Sequence, residues 1–184
     1  MNSIDNDDIR RISSQLDNFY TAYRSYIYYS LITSKANLEV SADSFWKFQK
    51  YLLLFSLVVN WCEVFGALAK NNHWKEITVE NSEFTKLLYE QSNYDYSSWS
   101  SYRKYIEDTK KSYLINPDIY HHKDPKVDLT GIDVSLNVTH SWLNTLANNS
   151  ASELASDVFE KWPICNLEFR AEIEEEFDTA FCQN

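Results

Sequence analysis

The residues with the greatest potential for chemistry are concentrated between residues 101 and 126. Lys110 and Lys111 lie near the end of a helical pattern, and His121 and His122 follow in a segment that contains prolines. An imidazole transfers protons near neutral pH, and an ammonium group binds phosphate. This segment also holds six Lys or Arg residues against four Asp or Glu residues. It is therefore the first candidate for a functional site.

The same residue types also have purely structural roles. Two lysines near the C-terminus of a helix are favoured by the helix dipole alone. His121, His122, Asp118 and Asp124 contain metal-binding groups, but adjacent histidines on an extended segment point to opposite sides. Two glycines are too few for a phosphate-cradling loop, and the chain has no G-x-S-x-G, H-E-x-x-H or calcium-loop motif. We expect no metal ion and no cofactor.

The elements that must position these residues are predicted to be helices. Glycine occurs twice and proline three times, and apolar residues recur at steps of three and four. The predicted helices cover residues 5–33, 41 to an end between 66 and 72, 82–91, 95–116, 130–148, 152–161 and 166–181. Pro117 ends the fourth helix, because the residue before a proline is disfavoured in helices. The sequence predicts an all-α bundle with long central helices and a C-terminal helical tail.

The first predicted helix carries an aromatic seam that includes Tyr20, Tyr23, Tyr26, Tyr28 and Tyr29. Tyrosines at helical spacing usually pack against other helices and extend their hydroxyl groups to the rim of the core. A platform on which nucleic-acid bases stack is the other interpretation. We favour helix packing.

The charge divides the chain into residues 1–150, the predicted bundle, and residues 151–184, an acidic helical tail. The tail holds nine acidic residues against two basic ones. An amphipathic helix of this kind either packs on the bundle with one solvated acidic face or binds a basic protein partner.

The composition also limits the location and the partners of the protein. A net charge of −10 repels phosphate backbones, so we expect at most weak RNA binding. Three cysteines without a C-x-x-C pair indicate reduced thiols. The acidic N-terminus does not resemble a secretory signal, and the longest apolar run is interrupted by Ser56, Asn60 and Glu63. We expect a cytoplasmic protein that does not contact a membrane.

Three stretches resemble a known family in their order and spacing: "NWCEVFGALAKNNHWKEI", "FTKLL" and "SSWSSYRKYIEDTKKSYLIN". They are similar to bacterial helical proteins of the HEPN superfamily, over roughly residues 5 to 150. The matching residues are Trp61, Phe65, Gly66, His73, Trp74, Lys75, Trp99 and Tyr102. The resemblance implies an all-helical homodimer with a role in bacterial or phage defence.

Many HEPN proteins are metal-independent ribonucleases in which an Arg and a His near a helix end meet across the dimer. At the matching positions this chain has Lys110 and Asn116. Lysine keeps the charge but lacks the bidentate fork of arginine, and asparagine cannot transfer a proton. We interpret the motif as degenerate and favour a binding or regulatory component over an enzyme.

Two alternatives remain open. In the first, the chain is an atypical metal-independent endoribonuclease that uses Lys110, Arg103 and a loop histidine, His121 or His122. In the second, it is an acidic interaction protein that binds a basic partner through its C-terminal helix, "EFRAEIEEEFDTAF".

Overall fold

The computed structural model describes residues 6–34, 44–66, 82–115, 126–149, 157 and 168–181. Within these ranges the chain forms helices and no β-strand, which confirms the predicted all-α class. The helices are α1 (Asn6–Ser34), α2 (Ser44–Phe65), α3 (Ser82–Ser92), α4 (Tyr96–Ile115), α5 (Thr130–Asn149) and α6 (Phe169–Phe181).

The fold is organised around the long helices α1 and α2, which pack against each other more extensively than any other pair among the described residues. Helices α5 and α6 contact α1, α4 contacts α2, and α3 packs against α5. The helix that carries the candidate site, α4, is therefore held mainly by α2.

The apolar positions of α1 lie in the core, as their spacing predicts. The buried residues follow steps of three and four along one side of the helix, which is the pattern of an amphipathic helix. They are Ile9, Ile12, Leu16, Phe19, Tyr23 and Ile27.

Trp61 of α2 joins three helices in the core. Its ring contacts those of Trp99 and Tyr102 on α4 edge-on. Its Nε1 donates a hydrogen bond of 2.8 Å to Oγ of Ser135 on α5. A buried indole N–H needs such a partner, so Trp61 fixes the distance between α2 and α5 as well as the packing of α4.

The start of α4 is set by a reciprocal capping arrangement. The N–H of Ser98 donates to Oδ1 of Asp95 at 2.7 Å, and the N–H of Asp95 donates to Oγ of Ser98 at 2.9 Å. Asn93 precedes it with a φ of 55°, a left-handed conformation that asparagine adopts more readily than most residues. The short turn from α3 to α4 is thus built from local side-chain bonds.

Tyr102 of α4 fixes the start of α5. Its hydroxyl donates to the carbonyl of Asp128 at 2.7 Å and accepts from the N–H of Ile132 at 3.0 Å. A Cβ on Gly131 would collide with the Tyr102 ring. Glycine at this position therefore lets the tyrosine reach the first turn of α5, where unpaired backbone N–H groups need acceptors.

Helix α2 is one of the predicted long helices, and its burial is uneven along its length. Leu54, Leu57 and Val58 are buried, but Phe45 and Phe48 near its start are exposed. No helix within the described ranges is both long enough and apolar enough to cross a membrane.

Helix α6 packs on α1 through its apolar side. Phe169, Ile173 and Phe177 are buried, and the ring of Phe169 contacts those of Tyr20 and Tyr23. The acidic residues Glu172 and Glu175 point to the exposed side. The amphipathic pattern of this helix thus matches its position.

Candidate functional site

Two of the five residues predicted to form a site, Arg103 and Lys110, lie on α4. They are seven residues apart, so they project from the same side of the helix, and both reach the C-terminal end of α2. The other three, Asn116, His121 and His122, lie outside the described residues. So do His73, Trp74 and Lys75 of the resemblance.

Arg103 binds the last carbonyl groups of α2. Its Nε donates to the carbonyl of Phe65 at 2.5 Å, and its Nη2 donates to the carbonyl of Gly66 at 2.7 Å. Carbonyls at a helix C-terminus have no partner within the helix, and the dipole there favours a cation. Burial lowers the pKa of Arg103, but a guanidinium remains charged in proteins. The side chain that the ribonuclease alternative would use thus holds a helix end.

Lys110 forms an ion pair with α2. Its Nζ lies 2.6 Å from Oε1 of Glu63, and the lysine side chain is 20% exposed against 52% for the glutamate. Burial alone would lower the pKa of Lys110, but the hydrogen bond and negative charge of Glu63 outweigh it and raise the pKa above its usual value. Lys110 is therefore a cation at neutral pH, and it cannot act as a general base.

Glu107 is buried between these two cations, one turn from each along α4. A Cβ on Gly66 would collide with Oε1 of Glu107, so the glycine of the "FG" pair makes room for this carboxylate. Burial, and then the charge of Glu107, raise the pKa of the nearby Cys62 thiol. We refer to Glu63, Arg103, Glu107 and Lys110 as the α2–α4 cluster. It contains as many acidic groups as basic ones.

Lys111 belongs to a different surface. Its side chain is about half exposed and pairs with Asp108 at 3.1 Å on the same helix. The alternation of acid and base along this side is typical of a solvated helix face.

Sequence reasoning did not identify a second set of polar contacts, between α1 and α5. The hydroxyl of Tyr23 donates to Oδ1 of Asn137 at 3.0 Å, and that of Tyr26 donates to Oδ1 of Asp133 at 2.7 Å. Nδ2 of Asn137 also donates to Oδ1 of Asp133, at 2.7 Å. We refer to these four residues as the tyrosine interface. The sequence signals for it are the tyrosines of the aromatic seam and the spacing of Asp133 and Asn137, one turn apart.

The same seam of α1 holds α6 in place. Nη2 of Arg24 and the hydroxyl of Tyr28 both donate to Oε2 of Glu176, at 3.1 and 2.9 Å. Nη1 of Arg24 donates to the hydroxyl of Tyr20 at 2.9 Å. The tyrosines of α1 therefore have hydrogen-bond partners on two other helices, in agreement with the packing interpretation.

The chemistry available to the tyrosine interface is hydrogen bonding. Burial raises the pKa of Tyr26, and the hydrogen bond and charge of Asp133 raise it further. Burial also raises the pKa of Tyr23. Both phenols remain protonated donors at neutral pH, so neither acts as a base there. In the part of the chain that the structure describes, no three His, Cys, Asp or Glu side chains are placed to share a metal ion.

Comparisons with known proteins add no relative. No family model matches the chain, and no curated protein or solved structure matches it significantly. The geometry of the described residues and the motifs of the sequence are therefore the basis for any functional conclusion.

Proposed function

We propose that this protein is a HEPN-like helical protein whose degenerate ribonuclease motif makes it a binding or regulatory component and not an enzyme. The observation that supports this proposal is the pairing of Lys110. Its ammonium lies 2.6 Å from the carboxylate of Glu63, in a cluster that also contains buried Glu107. A phosphate that approached Lys110 would meet two carboxylates, whose repulsion opposes binding.

The other predicted cation is also engaged. Arg103 uses two of its donors on the carbonyls of Phe65 and Gly66. To stabilise a phosphorane, it would have to leave them without partners, at a cost of about 1–3 kcal/mol per buried group. None of the four side chains of the α2–α4 cluster is an imidazole that could transfer a proton. A nuclease site on α4 would therefore need its proton-transferring group from outside the α2–α4 cluster.

Further parts of the proposal follow from the resemblance, which implies a homodimer and a role in defence, and from the composition, which indicates a cytoplasmic protein. We propose a cytoplasmic homodimer that acts in bacterial or phage defence and contacts RNA weakly, if at all. The negative charge of the chain supports weak RNA contact, because non-specific affinity for nucleic acid comes mainly from neutralised phosphates.

The test is an RNA cleavage assay in the presence of a chelator. Purified wild type and Lys110→Ala are incubated with total and transfer RNA, and the ends of any fragments are analysed. The matched control is Lys104→Ala, which removes an exposed lysine from the same helix. We expect no cleavage by any of the three proteins.

One outcome would establish the atypical ribonuclease instead. It is chelator-resistant cleavage to cyclic-phosphate ends that Lys110→Ala loses and Lys104→Ala retains. The same assay on a variant with both His121→Ala and His122→Ala would then identify the base. Loss of cleavage in that variant would assign proton transfer to a loop histidine.

A further inference from the structure

We infer that the side of α1 under α6 is a binding surface for an acidic amphipathic helix of a partner protein, and that α6 occupies it as a displaceable helix of the same chain. The inference names a surface for the binding or regulatory role of the proposed function and rests on that role. We refer to Tyr20, Tyr23, Arg24 and Tyr28 as the α1 docking face. Each of them contacts α6 through a ring or a hydrogen bond.

Helix α6 lies along this face over most of its length. The ring centroid of Tyr20 is 5.4 Å from that of Phe169. The ring centroid of Tyr28 is 6.1 Å from that of Phe177. The two residues of each helix are eight positions apart, about 12 Å, so the helices run side by side in the same direction. Ile173, midway between the phenylalanines, is buried as well. Apolar residues at steps of four, laid against a neighbouring helix, are how amphipathic peptides are recognised.

The polar groups of the α1 docking face bind a carboxylate beside that apolar contact. Nη2 of Arg24 and the hydroxyl of Tyr28 donate to the same oxygen, Oε2 of Glu176. Nη1 of Arg24 donates to the hydroxyl of Tyr20, which orients the guanidinium. A guanidinium held in this way is well suited to a carboxylate. The face therefore recognises an acidic group next to an apolar row, which is the chemistry of an acidic amphipathic helix.

Helix α6 has little stability of its own. It has 13 residues, and isolated helices of this length are marginal in water. Glu172 and Glu176 are four residues apart, as are Glu174 and Asp178, and like charges at this spacing destabilise a helix. The single basic residue of α6, Arg170, pairs with Glu174. Helix α6 therefore depends on its docked position.

The two helices of this contact are held unequally. Among the described helices, α1 is the main neighbour of α6, and α5 adds a ring contact of His140 with Phe169 at 6.4 Å. Helix α1, by contrast, also packs against α2 and α5. An element with few neighbours opens more readily than the core. A partner helix can therefore replace α6 while α1 keeps its position in the bundle.

The test measures, by fluorescence anisotropy, how tightly the full chain binds a labelled peptide of residues 168–181, "EFRAEIEEEFDTAF". In wild type, the chain's own α6 competes with the peptide at a high effective concentration. Ile173→Asp places a charge at a buried position of that α6 and so weakens the competitor. We expect this variant to bind the peptide at least about tenfold more tightly than wild type.

Two matched pairs of substitutions test the polar contact. In the Ile173→Asp chain, adding Arg24→Gln should weaken peptide binding at least about fivefold. Adding Arg10→Gln, at an exposed position of the same helix, should leave binding unchanged. In the peptide, Glu176→Gln should weaken binding to a similar extent, whereas Glu175→Gln, at an exposed position, should not. Equal effects within either pair would overturn the role of Arg24 and Glu176.

Circular dichroism verifies the helices of each chain. Glu176→Lys in the full chain provides a second variant that loosens α6, and it leaves the buried side chains unchanged because the Glu176 side chain is 61% exposed. If neither variant binds the peptide more tightly than wild type, the α1 docking face is not a surface for such a helix.

Hydrogen exchange of the wild-type chain tests whether α6 is displaceable. We expect the amides of α6 to exchange at least about tenfold faster than those of the buried part of α1. Equal protection of the two helices would overturn the inference. RNA cleavage is measured separately. Cleavage would overturn the non-catalytic proposal and leave the docking face, whereas a failure of peptide binding would overturn only the docking face.

Discussion

The α2–α4 cluster and the tyrosine interface both join helices through polar side chains, but they do so with different groups. In the cluster, Arg103 is a full charge bound to backbone carbonyls 37 and 38 residues earlier in the chain. In the interface, the hydroxyls of Tyr23 and Tyr26 bind residues 114 and 107 positions later. The cluster secures the end of one helix, whereas the interface connects distant parts of the chain.

The two regions also distribute their bonds differently. Arg103 serves two carbonyls by itself, so its loss leaves both without that donor. In the interface, Asp133 accepts from both Tyr26 and Asn137, so the loss of one donor leaves the other. Arg103, a residue type often used in catalysis, thus holds two carbonyl groups by itself. In the tyrosine interface, by contrast, the hydrogen bonds are shared among several side chains. This difference predicts unequal responses to mutation.

The largest effect is expected for Arg103→Ala. The change removes two charge-assisted hydrogen bonds from the end of α2 and takes a cation away from the buried Glu107. We expect the free energy of unfolding to fall by about 2–3 kcal/mol, as for hydrogen bonds to charged groups. Urea denaturation followed by circular dichroism measures it. Lys104→Ala, an exposed control on the same helix, should change it by less than about 0.5 kcal/mol. Equal losses in the two variants would contradict the role of Arg103.

A smaller effect is expected for Tyr26→Phe, about 1 kcal/mol, because Asp133 keeps its bond to Asn137. A double-mutant cycle with Asp133→Ala isolates the bond of 2.7 Å between them. The cycle is needed because Asp133 also lies in the first turn of α5, where a negative charge is favourable by itself. We expect a coupling energy of about 0.5–1 kcal/mol from urea denaturation. Additive losses would show that the hydroxyl and the carboxylate act independently.

Alkaline pH provides a further test of the interface. Burial, together with Asp133, raises the pKa of Tyr26 in the folded protein above its ordinary value of 10.0. The contribution of Tyr26 to the free energy of unfolding is therefore complete below pH 10, and it is lost as the pH rises above that value. Between about pH 9 and about pH 11, wild type should lose more stability than Tyr26→Phe, which has no phenol at this position. Parallel losses in the two proteins would show that Tyr26 titrates as it does in the unfolded chain.

Much of the fold follows from periodicity in the sequence. The apolar steps from Ile9 to Ile27 predict the buried side of α1, and Pro117 together with the charged pattern before it predicts a helix that carries Arg103 and Lys110. Both inferences depend only on local geometry, because residues three, four and seven apart must share a side of a helix. The side of α4 that bears the two cations was thus predictable.

The partners of these residues were not predictable, since they depend on how helices approach one another. Nothing in the spacing of Lys110 indicates that Glu63, 47 residues away, comes within 2.6 Å of it. The match of Tyr26 with Asp133 likewise requires the packing of α1 on α5. The apolar character of α2 favours burial, but burial also requires the right packing, and Phe45 and Phe48 remain 58% and 43% exposed.

The smallest effect is expected for the ion pair of Lys110 and Glu63. The distance of 2.6 Å is short, but the Glu63 side chain is 52% exposed, so water screens the pair. Lys110→Ala and Glu63→Gln should each lower the free energy of unfolding by about 0.5–1 kcal/mol, and the loss should shrink in about 1 M salt. Thermal or urea denaturation at two salt concentrations measures both values.

If Lys110→Ala lowered the free energy of unfolding as much as Arg103→Ala does, the two cations of the cluster would not differ in their structural role. It would mean that Lys110 compensates the buried carboxylate of Glu107, which lies one turn from each cation, as much as Arg103 does. A small, salt-sensitive loss would instead show that, of the two cations in the cluster, Lys110 is the one that can be removed with little loss of stability. In that case Lys110→Ala also serves as the probe in the RNA cleavage assay, because the variant keeps the fold while it removes the cation that the ribonuclease alternative would use.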